Sequence, residues 1–374
     1  MKPAVTEMLG RRAEWGRAAG PLADAILSTR IRLARNLHGL KFVPQAADDE
    51  LRGVLNRVRM AIEGIPDLGK GGLLAMEDLS LIERQFLFER HLISHDMTVG
   101  APQRAVYASE DESASIMVNE EDHLRMQSLS SGFQLYETYE RVNRTDDLLA
   151  EHLEFAFSPE LGYQTSCPTN VGTGLRASVL MHLPSLVLTK KIRKVLAGVH
   201  QVGLSVRGFW GEGSDVVGNF FQISNQVTLG EREAQTLRNL DRVIRQVLEY
   251  EERAREVLVR EARLEIEDKI GRSLGTLRHA RILSSQEMIS LLSAVRFGVT
   301  LGLKEMPHLK AINELLVCGQ PAHIQLMAGR EMSSAERNRY RAKLVREKMT
   351  EKRRTKPTPR TGRRSPEGGG QRDA

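Results

Sequence analysis

Between Ser28 and Asn36 the sequence reads Ser-Thr-Arg-Ile-Arg-Leu-Ala-Arg-Asn, so that Arg30 and Arg32 alternate with Ile31 and Leu33. In an extended segment a period of two sends both guanidinium groups to one face and the apolar pair to the other. Two permanently charged groups side by side repel, so such a strand either sits in solvent or has an anion between its arginines.

A second stretch, Ser166-Cys167-Pro168-Thr169-Asn170-Val171-Gly172-Thr173-Gly174-Leu175-Arg176-Ala177-Ser178, places a lone cysteine, turn-forming residues and two glycines ahead of an arginine and of apolar Val179, Leu180, Met181 and Leu183. It reads as a ligand-binding loop opening a helix at Arg176, because glycine lets backbone approach a ligand and a helix N-terminus beside an arginine favours phosphate. An ordinary helix-entry turn is the plainer reading. Asn119-Glu120-Glu121-Asp122-His123-Leu124-Arg125 crowds three carboxylates together, which requires a compensating cation or a helix start. Gly64 to Gly71 comes within one residue of a phosphate-binding Walker loop, but ends in Gly71 where Ser or Thr would bind magnesium, and no strand precedes it. It is rejected as a nucleotide loop. His91 and His95, four apart, read as surface or capping residues in the absence of further metal ligands. Arg30, Arg32, Arg125, Arg176 and Arg207 each neighbour a glycine, a strand end or the carboxylate cluster. Without a Walker lysine or a protein-kinase catalytic loop, arginines alone can neutralise a triphosphate and absorb charge developing during its transfer.

Charge location narrows the function classes further. Of 54 basic and 48 acidic residues, eight basic and two acidic lie beyond 351, leaving 46 of each in the body of the 374-residue chain. A neutral body argues against a nucleic-acid-binding fold, and the Pro-, Gly- and Arg-rich tail reads as disordered. No apolar run is long enough to span a membrane, and the start lacks a secretory core. With Cys167 and Cys318 forming no spaced set, a reducing cytoplasm with free thiols is expected.

Periodicity gives an α+β organisation around an antiparallel sheet. Helices are expected at 47 to 66, 76 to 95, 121 to 127 and 132 to 153, and strands at 114 to 118, 162 to 166, 202 to 207 and 219 to 224. The last two form a hairpin whose tip, 208 to 214, has the glycines of a mobile flap. From 231 the period becomes helical, and capping boxes at Ser284 and Ser333 with a stop at Gly319 define a second, helical region. Taken with the family resemblance set out next, the expected domains are an N-terminal extension at 1 to 23, a catalytic domain at 24 to 254, a helical domain at 255 to 350 and a basic tail at 351 to 374.

Four stretches, S-T-R-I-R-L-A-R-N, N-E-E-D-H-L-R, C-P-T-N-V-G-T-G-L-R-A and R-G-F-W-G-E-G, in that order, resemble the phosphagen (guanidino) kinases, whose members include creatine kinase and arginine kinase. The likeness runs from about 24 to 254. Few residues precede the first motif and a helical region follows the last, a combination similar to the bacterial protein-arginine kinases of that family. The resemblance implies that Arg30, Arg32, Arg125, Arg176 and Arg207 clamp the phosphates of ATP, with His91 near the adenine. Ser28, Thr29, Ile31, Ala177, Ser178, Val179, Leu180, Gly208, Phe209, Trp210 and Gly211 complete the nucleotide site. It implies that Glu121 and Glu212 hold the substrate guanidinium, with Glu212 also at the nucleotide, and that Cys167 lies beside them as a thiolate. Two carboxylates can orient a guanidinium by paired hydrogen bonds and one can take its proton as the N–P bond forms. Magnesium is implied as an ion held by phosphate oxygens and water, with no protein metal site.

Arg337-Asn338-Arg339-Tyr340-Arg341-Ala342 is similar to the family's R-D-x-x-R-A motif, which implies an allosteric phosphoarginine pocket at Arg337, Asn338, Arg341 and Ala342, with Asn338 replacing an aspartate. The implied partners are arginine-bearing proteins, a small zinc-binding activator and a Clp-type protease, in stress-related marking of regulators or misfolded proteins. A homo-oligomer is expected, with no membrane or nucleic-acid partner. Two other functions stay open at this point: a kinase of free arginine or another small guanidino compound, and an adaptor or inhibitor that acts by binding alone. The paucity of residues before the first motif leaves an open site, which favours the protein substrate.

Overall fold

A computed structural model describes residues 1–99, 102–209 and 217–350. Its centre is an antiparallel sheet built from β1 (Ile26–Arg35), β2 (Gly72–Ala75), β3 (Ala105–Ala108), β4 (Ala114–Val118), β5 (Leu124–Ser131), β8 (Leu175–His182), β9 (Leu204–Arg207) and β10 (Phe220–Asn225). The order across the sheet is β2-β3-β4-β5-β1-β8-β10-β9, so the arginine-bearing β1 lies at its middle. A small hairpin, β6 (Phe157–Ser158) and β7 (Gly162–Tyr163), stands apart. The α+β expectation and the β9–β10 hairpin are both observed, with Gln222 opposite Arg207.

The rear face of the sheet carries Ile31, Leu33, Ala177, Val179 and Ile223, all fully buried. They pack with α2 (Asp48–Gly64), α4 (Leu135–Ala150) and α7 (Glu233–Glu261) through Val58, Val142, Leu240 and Ile244. Each of the larger aliphatic side chains among them contributes about 1.5–3 kcal/mol by leaving water. Part of the front face, at Leu129, Leu180 and Phe220, is covered by the C-terminal helices α8 (Arg263–His279), α9 (Ser285–Thr300), α10 (Leu309–Cys318) and α12 (Ser334–Thr350). Residue 254 lies inside α7, where Ala254 is buried in the rear core, so one continuous helix leads from the sheet into the helical region. Arg296 of α9 fastens the two together: it donates to the carbonyls of Ala23 and Asp24 at 2.6 Å each and to His182 Nδ1 at 3.0 Å.

Several local expectations are corrected. The chain from Arg176 is strand β8, not a helix, because Ala177, Val179 and Met181 alternate with Arg176, Ser178 and Leu180 across a sheet buried on both faces. Residues 121 to 127 turn and enter β5, since Leu124 and Met126 face the rear core and alternate with Arg125 and Gln127 on the front. The helix expected at 76 to 95 shrinks to α3 (Leu81–Glu89), which starts at a Ser80–Glu83 capping box and stops before His91 adopts a positive φ of 60°. The strand expected at 162 to 166 is only β7. The capped starts are observed: Ser284 Oγ accepts from Glu287 N at 3.1 Å, and Ser333 and Glu336 exchange bonds ahead of α12. No helix among the described residues is long and apolar enough to cross a membrane. The tail expected to be disordered lies outside the described residues.

Candidate active site

Strand register decides which side chains meet. Arg32 is opposite Arg176 on β8 and Gln127 on β5, and Arg30 is opposite Ser178. Arg125 is two residues from Gln127 and thus shares its face, while Arg207 pairs with Gln222, itself opposite Leu180. All five arginines therefore project from the front face, beside the part covered by the helical region. Ser28, Ser178 and Leu180 share that side. Thr29, Ile31, Ala177 and Val179, expected at the nucleotide, point into the rear instead: strand alternation leaves them to build the sheet that carries the arginines. Thr29 Oγ1 donates to Gly132 O at 2.8 Å.

Within the arginine cluster, burial and mutual repulsion work against the charges of Arg30 and Arg32. Glu120 is the carboxylate that grips it, accepting from Arg125 Nη1 at 2.8 and 2.7 Å. Burial opposes Glu120 ionisation, but Arg125, the Ser94 hydroxyl and the Glu121 amide together hold the carboxyl below its usual range. Burial, then repulsion from Arg125, Arg176 and Arg207, lowers the Arg30 pKa to about 10. Arg32 is driven well below its ordinary value by burial and by Arg30, Arg125 and Arg176, with Glu120 opposing. Arg30 donates only a long bond to Gln222 Oε1, 3.3 Å. Arg32 Nε is buried with no hydrogen-bond partner among the described residues. A buried donor left unmade costs about 1–3 kcal/mol, and an anionic acceptor between these side chains would relieve that cost.

His91 borders the cluster. Its carbonyl accepts from Gln127 Nε2 at 2.6 Å, and its ring stands 4.8 Å from Trp15, which in turn lies 5.6 Å from Phe209. Burial, then Arg30 and Arg32, pushes its pKa down to about 3, so the imidazole is neutral. The capping role read from its spacing is replaced by this interior position. Gly208 and Phe209 are buried next to it, whereas Trp210, Gly211 and Glu212 lie outside the described residues.

On the other side, the loop from Cys167 is rigidly hung. Thr228 Oγ1 donates to Thr169 O at 2.9 Å and Val171 O at 2.7 Å, and Thr228 O accepts from Thr173 N at 3.1 Å. Gly172 has φ +109°, and a Cβ there would stand 2.3 Å from Thr228 O. Arg35, at the rear-facing phase of β1, grips Asp146 through two bonds of 3.0 and 2.7 Å and donates to Thr173 O at 2.9 Å. Asp122 Oδ1 accepts from Asn36 Nδ2 and Ser166 N, both at 2.6 Å. Consequently Cys167 is fixed with its Sγ 3.0 Å from Thr169 Oγ1 and in hydrogen-bond contact with Glu121. Asn170 Nδ2 also donates to Glu121 Oε2 at 3.4 Å. Burial, with Asp122 and Glu120 adding to it and Arg125 opposing, raises the Glu121 pKa. The three crowded carboxylates thus have three separate uses: Glu120 braces Arg125, Asp122 braces the loop, and Glu121 is left facing the cysteine. Sequence reasoning assigned no role to Arg35, Gln127 or Trp15. The phase of Arg35 in the alternating strand is the one available signal.

The C-terminal pair behaves differently from expectation. Arg341 is buried and donates to Gly319 O at 2.7 Å, Leu283 O at 2.9 Å and Asn338 Oδ1 at 2.6 Å. Arg337 instead bonds Met332 O at 2.7 Å, so the two guanidiniums do not form one grip. Ala342 is buried in the core beneath them.

A cationic cradle beside a glutamate and a cysteine is the arrangement of a guanidino phosphotransferase. Residues 53–254 match the family model described as ATP:guanido phosphotransferase, C-terminal catalytic domain, and residues 263–359 match the protein-arginine kinase McsB C-terminal domain. The chain belongs to the protein-arginine kinase family. It is 46% identical over 342 residues to the protein-arginine kinase of Moorella thermoacetica, covering 91% of this chain and 98% of that one. The corresponding figures for the Bacillus subtilis protein-arginine kinase are 42% over 339 residues, 90% and 93%. Among solved structures, a lombricine kinase is similar with a TM-score of 0.56 and 26% identity, over 62% of this chain and 67% of that one. A duplicated taurocyamine kinase from Schistosoma mansoni, bound to transition-state-analogue components, gives 0.57 and 27%, over 65% of this chain and 35% of that chain.

Proposed function

We propose that this protein transfers the γ-phosphoryl group of ATP to arginine side chains of proteins. The observation that carries this reading is the front-face arginine cluster, braced by Glu120 and bordered by the Glu121–Cys167 pair. Arg30, Arg32, Arg125, Arg176 and Arg207 hold the polyphosphate and take up charge as the terminal P–O bond breaks. Bound ATP supplies the phosphoryl group, and Mg²⁺ is held by its oxygens and water, because guanidiniums offer no lone pair to a cation. Glu121 orients the substrate guanidinium and takes one proton as the N–P bond forms, ADP being the leaving group. Its burial-raised pKa suits it to that step. The substrate guanidinium is seated between Glu121 and Cys167. Glu212 serves as the second carboxylate, and His91 with Trp15 flanks the adenine.

On this reading the work is done in the cytoplasm by a homo-oligomer. The products are stress-related regulators or misfolded proteins handed to a Clp-type protease, with a small zinc-binding activator assisting. The relatives' protein-arginine kinase names support the protein substrate alone. The regulatory phosphoarginine pocket is placed at a cavity of about 510 Å³ lined by Arg337, Ser80, Gln325 and Ser333, with Arg341 and Asn338 acting behind it.

The test is acid-labile phosphate on arginine after incubating an unfolded protein with ATP and the enzyme. Glu121→Gln should abolish it while leaving nucleotide affinity intact. Turnover of free arginine alone would replace the substrate class, and full partner inactivation by Glu121→Gln would favour an adaptor.

A further inference from the structure

Behind the sheet, a groove of about 900 Å³ runs between α6 (Ile192–Gln201) and α7. Its floor is apolar, formed by Val195, Val199, Val243 and Val247, and its rim is cationic, formed by Lys191, Lys194, Arg242 and Arg253. Among the described residues no acidic side chain lines it. Among the described residues Lys191 and Lys194 enter no ion pair, Arg242 bonds only the amide of Asn239, and Arg253 meets Glu249 at a loose 3.6 Å. The imbalance begins in the sequence: from Glu160 to Glu212 the chain has no Asp or Glu, while Lys190, Lys191, Arg193 and Lys194 gather at the start of α6. Helix α6 is correspondingly thinly attached, with Val199 its buried residue. Gly198 faces open space, with no atom within 4 Å of where a Cβ would be.

We propose that this groove is a docking site for an amphipathic helix of a partner protein whose apolar stripe is flanked by Asp and Glu. An apolar channel between two helices takes a third helix by its hydrophobic face, and the uncompensated rim selects acidic flanks. The chain's own tail is excluded by charge, since it carries eight basic residues against two acidic ones. A lipid surface suits the site less well, because bilayer insertion needs projecting apolar side chains and here the valines lie on a recessed floor. The groove is on the face opposite the arginine cluster, so docking and phosphoryl transfer can occur together.

The probe is a fluorescein-labelled peptide of about 18 residues, five turns at about 3.6 residues per turn, with leucine at helical spacing and glutamate elsewhere. Titrated with the full chain, it should bind saturably. Affinity should fall at least tenfold in Lys191→Glu/Lys194→Glu, whose side chains are exposed, and also in Gly198→Trp, which fills the channel without altering charge. Phosphotransfer to an unfolded protein should be unchanged in both variants. No saturable binding overturns the proposal. So does loss in the charge-reversed variant with full binding in Gly198→Trp, which marks diffuse attraction to α6. Stronger binding to phosphatidylglycerol vesicles than to the peptide overturns it in favour of a membrane. Sedimentation showing self-association that Gly198→Trp abolishes overturns it in favour of a second copy.

Discussion

Arg32 and Arg176 stand directly opposite one another on β1 and β8, two like charges in a cross-strand pair at the middle of the sheet. Cross-strand pairs of like charge destabilise a sheet, and here burial removes the water that would screen them.

Arg32→Met should therefore raise the stability of the nucleotide-free protein, by about 1 kcal/mol, while lowering kcat/KM at least ~100-fold. Thermal melts with and without ATP check both halves. The parent should gain more from saturating nucleotide than the variant does. A variant that melts lower in the absence of ligand would show that Arg32 is a structural residue.

Gly172→Ala places a Cβ against Thr228 O at 2.3 Å in a positive-φ conformation, so the Cys167 loop must shift. A loss of about 1–3 kcal/mol is expected, with kcat falling further than the stability loss alone explains, because Cys167 and Glu121 separate. Urea melts and steady-state rates at a temperature where the variant is fully folded separate the two effects.

Acid should unfold the protein through its buried imidazoles. The His91 pKa is about 3 folded, by burial and the adjacent arginines, against about 6.5 unfolded. Between these values the unfolded chain binds a proton that the folded chain refuses. Stability is full above about pH 6.5 and falls below it by up to ~1.4 kcal/mol per pH unit. His182, lowered by burial and Arg296, acts in the same direction. His91→Gln should shed one proton's worth of that slope between pH 7 and pH 5. Comparing parent and variant at each pH by chemical denaturation cancels the carboxylates, of which those raised, such as Glu121, work oppositely and those lowered, such as Glu120, work in the same direction.

Removing Arg341 should destabilise the fold by ~3 kcal/mol, because it strands the buried carbonyls of Gly319 and Leu283. Arg337→Ala should alter stability little and instead remove any stimulation by free phosphoarginine. Melting temperatures and activation curves of the two variants distinguish the roles.

The alternation in Ser28 to Asn36 was sufficient to place Arg30 and Arg32 on one face of a strand, because a period of two admits one geometry. The loop after Cys167 was also legible, through its glycines and its cysteine. What followed it was less so: Arg176 to Val179 begins a period of two, but Val179, Leu180 and Met181 are apolar on both phases, since the helical region caps the front as helices cover the rear, and that run blurs the period. Glu120 and Glu121 are adjacent in sequence and indistinguishable by type. Only the register that brings Arg125 onto one of them and Cys167 onto the other assigns their roles. The burial of Arg341 was hidden for a similar reason, because its partners come from Gly319 and Leu283, far away along the chain.

The helical region's hold on the front face also limits how the protein can be divided. Cutting the chain after the phosphotransferase match at 254 would sever α7 and bare Leu129, Leu180, Phe209 and Phe220 to solvent. A fragment so trimmed would be sticky and prone to self-assembly. Anyone expressing the kinase half by itself should therefore supply the missing helices in trans or graft a polar lid over those four residues.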